Sequence, residues 1–123
     1  MVKCPRMHVP LQDSGEREDY GTGAYREPAT GKGRFDLISA PALMRLAKHY
    51  ENGARKYAAR NWEQGIPVSR CLDSALRHLV QYMDGDNSED HLAAAAWNIF
   101  AIMHFEEKLP EMVDLPSRKG EIK

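Results

Sequence analysis

Residues 89–107 read EDHLAAAAWNIFAIMHFEE, and this stretch decides the fold class. Ser88 before it can cap a helix, the acids Glu89 and Asp90 suit a first helical turn, and Pro110 beyond it marks the stop. The four alanines leave little side-chain bulk, so a neighbouring helix can approach this backbone closely. Asn98, inside an otherwise apolar run, needs a hydrogen-bond partner on a neighbouring helix or a ligand. His91 lies seven positions earlier on the same face, and capping does not account for it.

Upstream, a second helix is predicted from Ser69, after Pro67, until Asp84-Gly85-Asp86-Asn87 stops it. Its stripe pairs Cys71 with Leu72, Ala75 with Leu76 and Leu79 with Val80, then ends on Met83. A first helix is capped by Ser39, with Leu43, Leu46, Ala47, Tyr50, Ala54 and Tyr57 on one face and an end near Ala58. Gly53 costs about 1 kcal/mol against Ala inside a helix, which predicts a bend or a close contact there. No strand pattern competes, so the class is all-α: three main helices and an extended N-terminal arm. The expected boundaries are arm 1–33, helical nucleotide-binding domain 34–110 and tail 111–123. Three helices make a thin core for one chain, which predicts completion by homo-oligomerisation.

The chain has 123 residues and a net charge of −1, which suits one domain and argues against long nucleic acid as a partner. Cys4 and Cys71 have no CxxC neighbour, so both are expected as free thiols. The longest apolar run, Leu92 to Trp97, is too short to span a bilayer, and no secretory signal pattern is present. A cytoplasmic protein without a membrane partner is the expectation. His8, His49 and His104 are read as structural or surface residues.

Three groups of residues can carry chemistry. In the loop RNWEQG, Trp62 can stack on a base and Asn61 can read its edge, with Lys56 and Tyr57 close by in sequence; a loop tryptophan equally serves to plug the end of a helical bundle. Arg77 can bind phosphate and His78 can ligate a metal or transfer a proton, or the two can be a solvated arginine and a structural histidine. Asp86, Glu89, Asp90 and His91 offer oxygen and nitrogen ligands for Mg²⁺ or Mn²⁺, or are helix caps. The arm segment TGKGRFD, residues 30–36, joins glycines to cations. It is not a P-loop, because Arg26 stands where the earlier glycine belongs and Gly33 follows Lys32, and no GxGxxG occurs.

The segments GAYRE, GKGRFDLI, GARKYAARNWEQG, ALRHL and DHLAAAAWN, in that order across roughly residues 23–107, resemble the phage family of dATP/dGTP diphosphohydrolase N-terminal domains. More distantly, the chain is similar to the MazG-like all-α nucleotide pyrophosphohydrolases. The resemblance implies a small-molecule nucleotide as partner, a location in the host cytoplasm, and hydrolysis of a purine deoxynucleoside triphosphate to monophosphate and pyrophosphate with Mg²⁺ or Mn²⁺. The four metal-binding carboxylates of the MazG-like pattern fall near Asp73, Arg77, His91 and Ala94, so Asp84, Asp86, Glu89 and Asp90 would have to replace them.

On this expectation Asp86, Glu89, Asp90 and His91 hold the cation. His78 and His91 are the catalytic residues, His78 assisting water activation. Arg26, Lys32, Arg34, Lys56, Tyr57, Asn61, Trp62, Arg77 and Asn98 bind the nucleotide, with the arm folded as a phosphate clamp. Two alternatives stay open: a protein that sequesters a nucleotide or nucleotide-derived signal without a cofactor, and a subunit that only oligomerises.

Overall fold

Three helices carry most of the described chain: α1 (Ala40–Tyr57), α2 (Val68–Met83) and α3 (His91–Lys108). They come from a computed structural model that describes residues 17–118. Cys4, His8, the first half of the arm and the last five residues of the tail lie outside the described residues. Two compact units are present, divided between Ile38 and Ser39.

Among the described residues, the departure from an all-helical reading lies in the first unit, a two-stranded antiparallel hairpin of β1 (Glu18–Asp19) and β2 (Tyr25–Arg26), with Glu18 opposite Arg26 and Asp19 opposite Tyr25. Strands of two residues are too short to leave an alternating pattern. A 3-10 turn at Phe35–Leu37 ends the unit. Gly31 and Gly33 have φ of +85° and +87°, a region that glycine enters without steric cost, so turn geometry accounts for both glycines of TGKGRFD.

In the helical unit α3 is central, packing against both α1 and α2. Ser39 caps α1 by accepting from the Ala42 N–H, and Pro41 stands in the first turn, where a missing N–H costs nothing. The helix runs through Gly53 without a break. The predicted cap of α3 is corrected: Asp90, not Ser88, accepts the Ala93 N–H, because Ser88 is turned to Asp86. The start of α2 also shifts, to Val68, with Pro67 as its cap residue. Pro67 has no capping side chain, and Asp114 supplies the group from beyond α3, its two oxygens accepting from the Ser69 N–H and hydroxyl at 2.8 and 2.7 Å.

The core is small. Val68 and Cys71 of α2, Ala101 and Phe105 of α3, and Val113 form its centre, with Trp62, Ile66, Trp97 and Leu109 packed against it. The paired stripe expected on α2 divides: Cys71 and Ala75 turn inward, whereas Leu76, Leu79, Val80 and Met83 stand exposed. An α-helix can present only one narrow strip to a single neighbour, and among the described residues α3 is the one helix that packs closely on α2. On α1 only Leu46 is fully buried; Leu43 and Tyr57 are exposed. Ile99, Phe100 and Met103 form a further exposed apolar strip on α3. Among the described residues no helix is long and apolar enough to cross a membrane.

Candidate functional site

Because α1 and α2 each lean on α3 more than on each other, a cleft of about 960 Å³ opens between them. Its floor is Ala94, Trp97 and Asn98 of α3, where the alanine run leaves room. Its walls are His49, Tyr50, Gly53 and Tyr57 of α1 and Arg70, Ser74, Arg77 and His78 of α2, and the loop from Ala58 to Glu63 closes one end. That loop is strained, with Ala58 at φ +82° and Arg60 at φ +62°, conformations that cost roughly 1–3 kcal/mol for residues with a Cβ and recur at ligand-binding sites.

The cleft is aromatic at the loop end. Trp62 stands 6.0 Å from Trp97 and 6.3 Å from Tyr50, ring centre to ring centre, and 4.8 Å from His104. Trp62 is thus both a core plug and a cleft wall, so its two sequence readings are compatible. Burial pushes the Tyr50 phenol up from its ordinary value. Arg70 makes no ion pair among the described residues, and Arg77 is held loosely, 3.8 Å from Asp73. The remaining cleft arginine, Arg60, is committed to Glu63.

At the other end of the α2–α3 interface lies a histidine pair. The Nδ1 atoms of His78 and His91 are 2.9 Å apart. His91 is 2 % exposed, and its Nε2 contacts the Asp86 carboxylate. That contact and the Ser88 hydroxyl hold the Asp86 carboxyl below its usual range. Burial is the main influence lowering His78, opposed by Glu89 and assisted by His91 and Arg77. Glu89 completes a cluster in which one ligand atom each from His78, Glu89 and His91 lies within 4.8 Å of the others. A second hollow of about 530 Å³ is lined by Asp86, Glu89, Asp90 and His91 together with Arg45 and Tyr82.

The structure therefore brings Tyr57, Asn61, Trp62, Arg77, His78 and Asn98 to one cleft, and Asp86, Glu89, Asp90 and His91 to the hollow beside it. Lys56 does not line the cleft; its ammonium lies over the Tyr57 ring at 5.2 Å. Arg26, Lys32 and Arg34 belong to the first unit, where Arg34 makes a two-pronged pair with Asp36 at 2.9 Å. Asn98 has its partners inside the protein, donating to the Ala94 carbonyl at 2.9 Å and to the Ser74 hydroxyl at 3.3 Å. Asp90 is likewise engaged, capping α3 and gripping Arg45 at 2.6 and 2.8 Å; this bond to Arg45 brings its carboxyl down to about 2.

Arg70, Ser74, Tyr50 and Trp97 line the cleft without being among the site residues expected from the sequence, and so does His49, expected to be structural or at the surface. Trp97 carried a usable signal: a tryptophan directly after four alanines needs a hollow to occupy. The others share helix faces with the expected site residues, and only the splay of α1 from α2 exposes them together.

Paired metals of the MazG-like kind do not fit these residues. Of the positions aligned with that pattern only Asp73 is a carboxylate, and it faces Arg77. Two adjacent divalent ions need several anionic ligands, whereas Asp86 and Asp90 are already bonded to His91 and Arg45.

The family model described as dATP/dGTP diphosphohydrolase, N-terminal, matches residues 22–115. The chain belongs to this family. No curated protein and no solved structure matches it.

Proposed function

We propose that this member of the dATP/dGTP diphosphohydrolase N-terminal family binds a purine nucleoside triphosphate in the cleft between α1 and α2. One observation carries the reading: a single cleft of about 960 Å³ has aromatic rings at one end and two arginines, Arg70 and Arg77, not tightly paired, along one wall. Pockets for small ligands run from roughly 300 to 1,000 Å³, mostly apolar with a few polar groups that set orientation. In this reading the base stacks near Trp62, Tyr57 and Trp97, Asn61 reads its edge, and Arg70 and Arg77 balance the phosphates. The family description favours hydrolysis to monophosphate and pyrophosphate, for which His78 and His91 are the residues available to handle protons.

Equilibrium dialysis of the full chain against dATP and dGTP, with product analysis in Mg²⁺ or Mn²⁺, tests both parts. Arg77→Ala and Tyr57→Ala, both at exposed positions, are expected to weaken binding at least about tenfold, near 1.4 kcal/mol each. No retained nucleotide at millimolar concentration would end the reading. Nucleotide bound and recovered intact would favour sequestration instead. The exposed apolar strips on α2 and α3 are the surfaces proposed to meet a second copy, and sedimentation at micromolar concentration decides whether a dimer forms.

A further inference from the structure

We propose that His78, Glu89 and His91 form a site for a single divalent transition-metal ion of the imidazole-binding class, Zn²⁺ or Co²⁺ rather than Mg²⁺, with Asp86 as the positioning residue. The three donors come from the second half of α2, the start of α3 and the turn between them, and their ligand atoms lie within 4.8 Å of one another.

His91 carries the argument. It is a buried imidazole whose Nε2 is held by the Asp86 carboxylate, so the proton resides on Nε2 and the lone pair on Nδ1. Metal-binding histidines are oriented in this way, with the far nitrogen donating to a carboxylate. The bare Nδ1 points to the Nδ1 of His78, 2.9 Å away. Two metal–nitrogen bonds of about 2.1 Å at the tetrahedral angle place their nitrogens about 3.4 Å apart, so the pair has only to open by about half an ångström to become adjacent ligands. Without an ion, His78 donates its Nδ1 proton to His91. With one, the His78 proton moves to Nε2 and both Nδ1 atoms face the ion.

The donor set then selects the metal. Two imidazoles and one carboxylate suit zinc-like ions, whereas Mg²⁺ prefers oxygen ligands throughout. Asp90 is not among the ligands, because Arg45 and the Ala93 N–H at the start of α3 already occupy it. Three protein ligands leave coordination positions open, and His78 lines the nucleotide cleft as well.

The test needs no nucleotide, so its result is separate from that of the binding reading. Metal-stripped full-length protein is titrated with Co²⁺ while its visible absorption is followed, with Zn²⁺ and Mg²⁺ as competitors. The expected result is one equivalent bound, displaced by Zn²⁺ and not by millimolar Mg²⁺. Glu89→Gln is expected to weaken binding at least about tenfold and Asp86→Asn by about 10- to 100-fold, with circular dichroism and Tm unchanged. His78→Ala should remove the absorption bands. The proposal is overturned if no bands form at stoichiometric Co²⁺, if Mg²⁺ displaces Co²⁺ as well as Zn²⁺ does, or if folded Glu89→Gln and His78→Ala proteins bind like the parent.

Discussion

The two ends of the α2–α3 interface are built from different chemistry. At one end Val68 and Cys71 meet Ala101 and Phe105, all 2 % exposed or less, and the contact asks only for shape. At the other end His78 meets His91 and Ser74 meets Asn98, and every buried group has to find a partner. Burial pushes the Cys71 thiol up, with Asp114 adding to it, which leaves an inert sulfur at the apolar end. A buried polar network gains little over apolar side chains of the same shape. Its presence in so small a core therefore points to a task other than holding the helices together.

The sharpest way to break this comparison is to truncate both ends. Phe105→Ala is expected to cost about 3–5 kcal/mol in urea unfolding, and His91→Leu, which keeps volume while removing the ring nitrogens, far less. If His91→Leu cost as much as Phe105→Ala, the histidine pair would be a structural element and the contrast would fail.

Next in size is Gly65→Ala. Gly65 has φ +117°, and an added Cβ would lie 3.0 Å from the Met112 sulfur, so strain and crowding together should cost about 1–3 kcal/mol. A thermal midpoint equal to the parent's would contradict this close approach of Gly65 to Met112. Asp114→Ala removes the remote cap of α2 and should cost about 0.5–2 kcal/mol; a loss confined to the C-terminal segment, with α2 amide exchange unaltered, would argue against that cap.

Gly53→Ala carries the opposite sign. An added Cβ at Gly53 meets nothing within 4 Å, so the helix should gain up to about 1 kcal/mol. Because Gly53 lines the cleft, the same change should weaken nucleotide binding if ligand approaches the backbone there. Unchanged stability would show that α1 is not helical at this point under native conditions.

The smallest effect is electrostatic. The Asp90 carboxyl is lowered from 3.8 to about 2, by Arg45 first, with a further contribution from the Ala93 N–H and from His49. A group depressed in the folded state stabilises above its unfolded value and loses that contribution as pH falls through its folded value. Stability supplied by Asp90 should thus be complete above pH 4 and disappear between pH 4 and 2, and Arg45→Met should flatten that segment of the curve. The pair is partly exposed, so the change is small and weakens with salt. An acid limb identical in Arg45→Met would refute the assignment.

Helices and their stops were legible from residue order alone, because spacing of apolar residues, Ser39, Gly85 and Pro110 act over a turn or two of chain. The cap of α3 was misread by two positions, since Ser88 and Asp90 are equivalent as residue types and only the bond from Ser88 to Asp86 distinguishes them. Among the acids near His91, type was legible and employment was not. Arg45, which ties Asp90, lies 45 positions away, beyond the reach of any local pattern.

The sequence by itself determined an all-helical body, the family to which it belongs, and the residue types available for chemistry. Tertiary structure alone decided that α1 and α2 splay over α3 to open a cleft, that Asn98 is satisfied by Ser74, and that His78 and His91 touch through their Nδ1 atoms. The physical reason is range: helix propensity and capping are settled among neighbours within a few residues, whereas a cleft and a histidine pair exist only when separate helices choose which faces to bury.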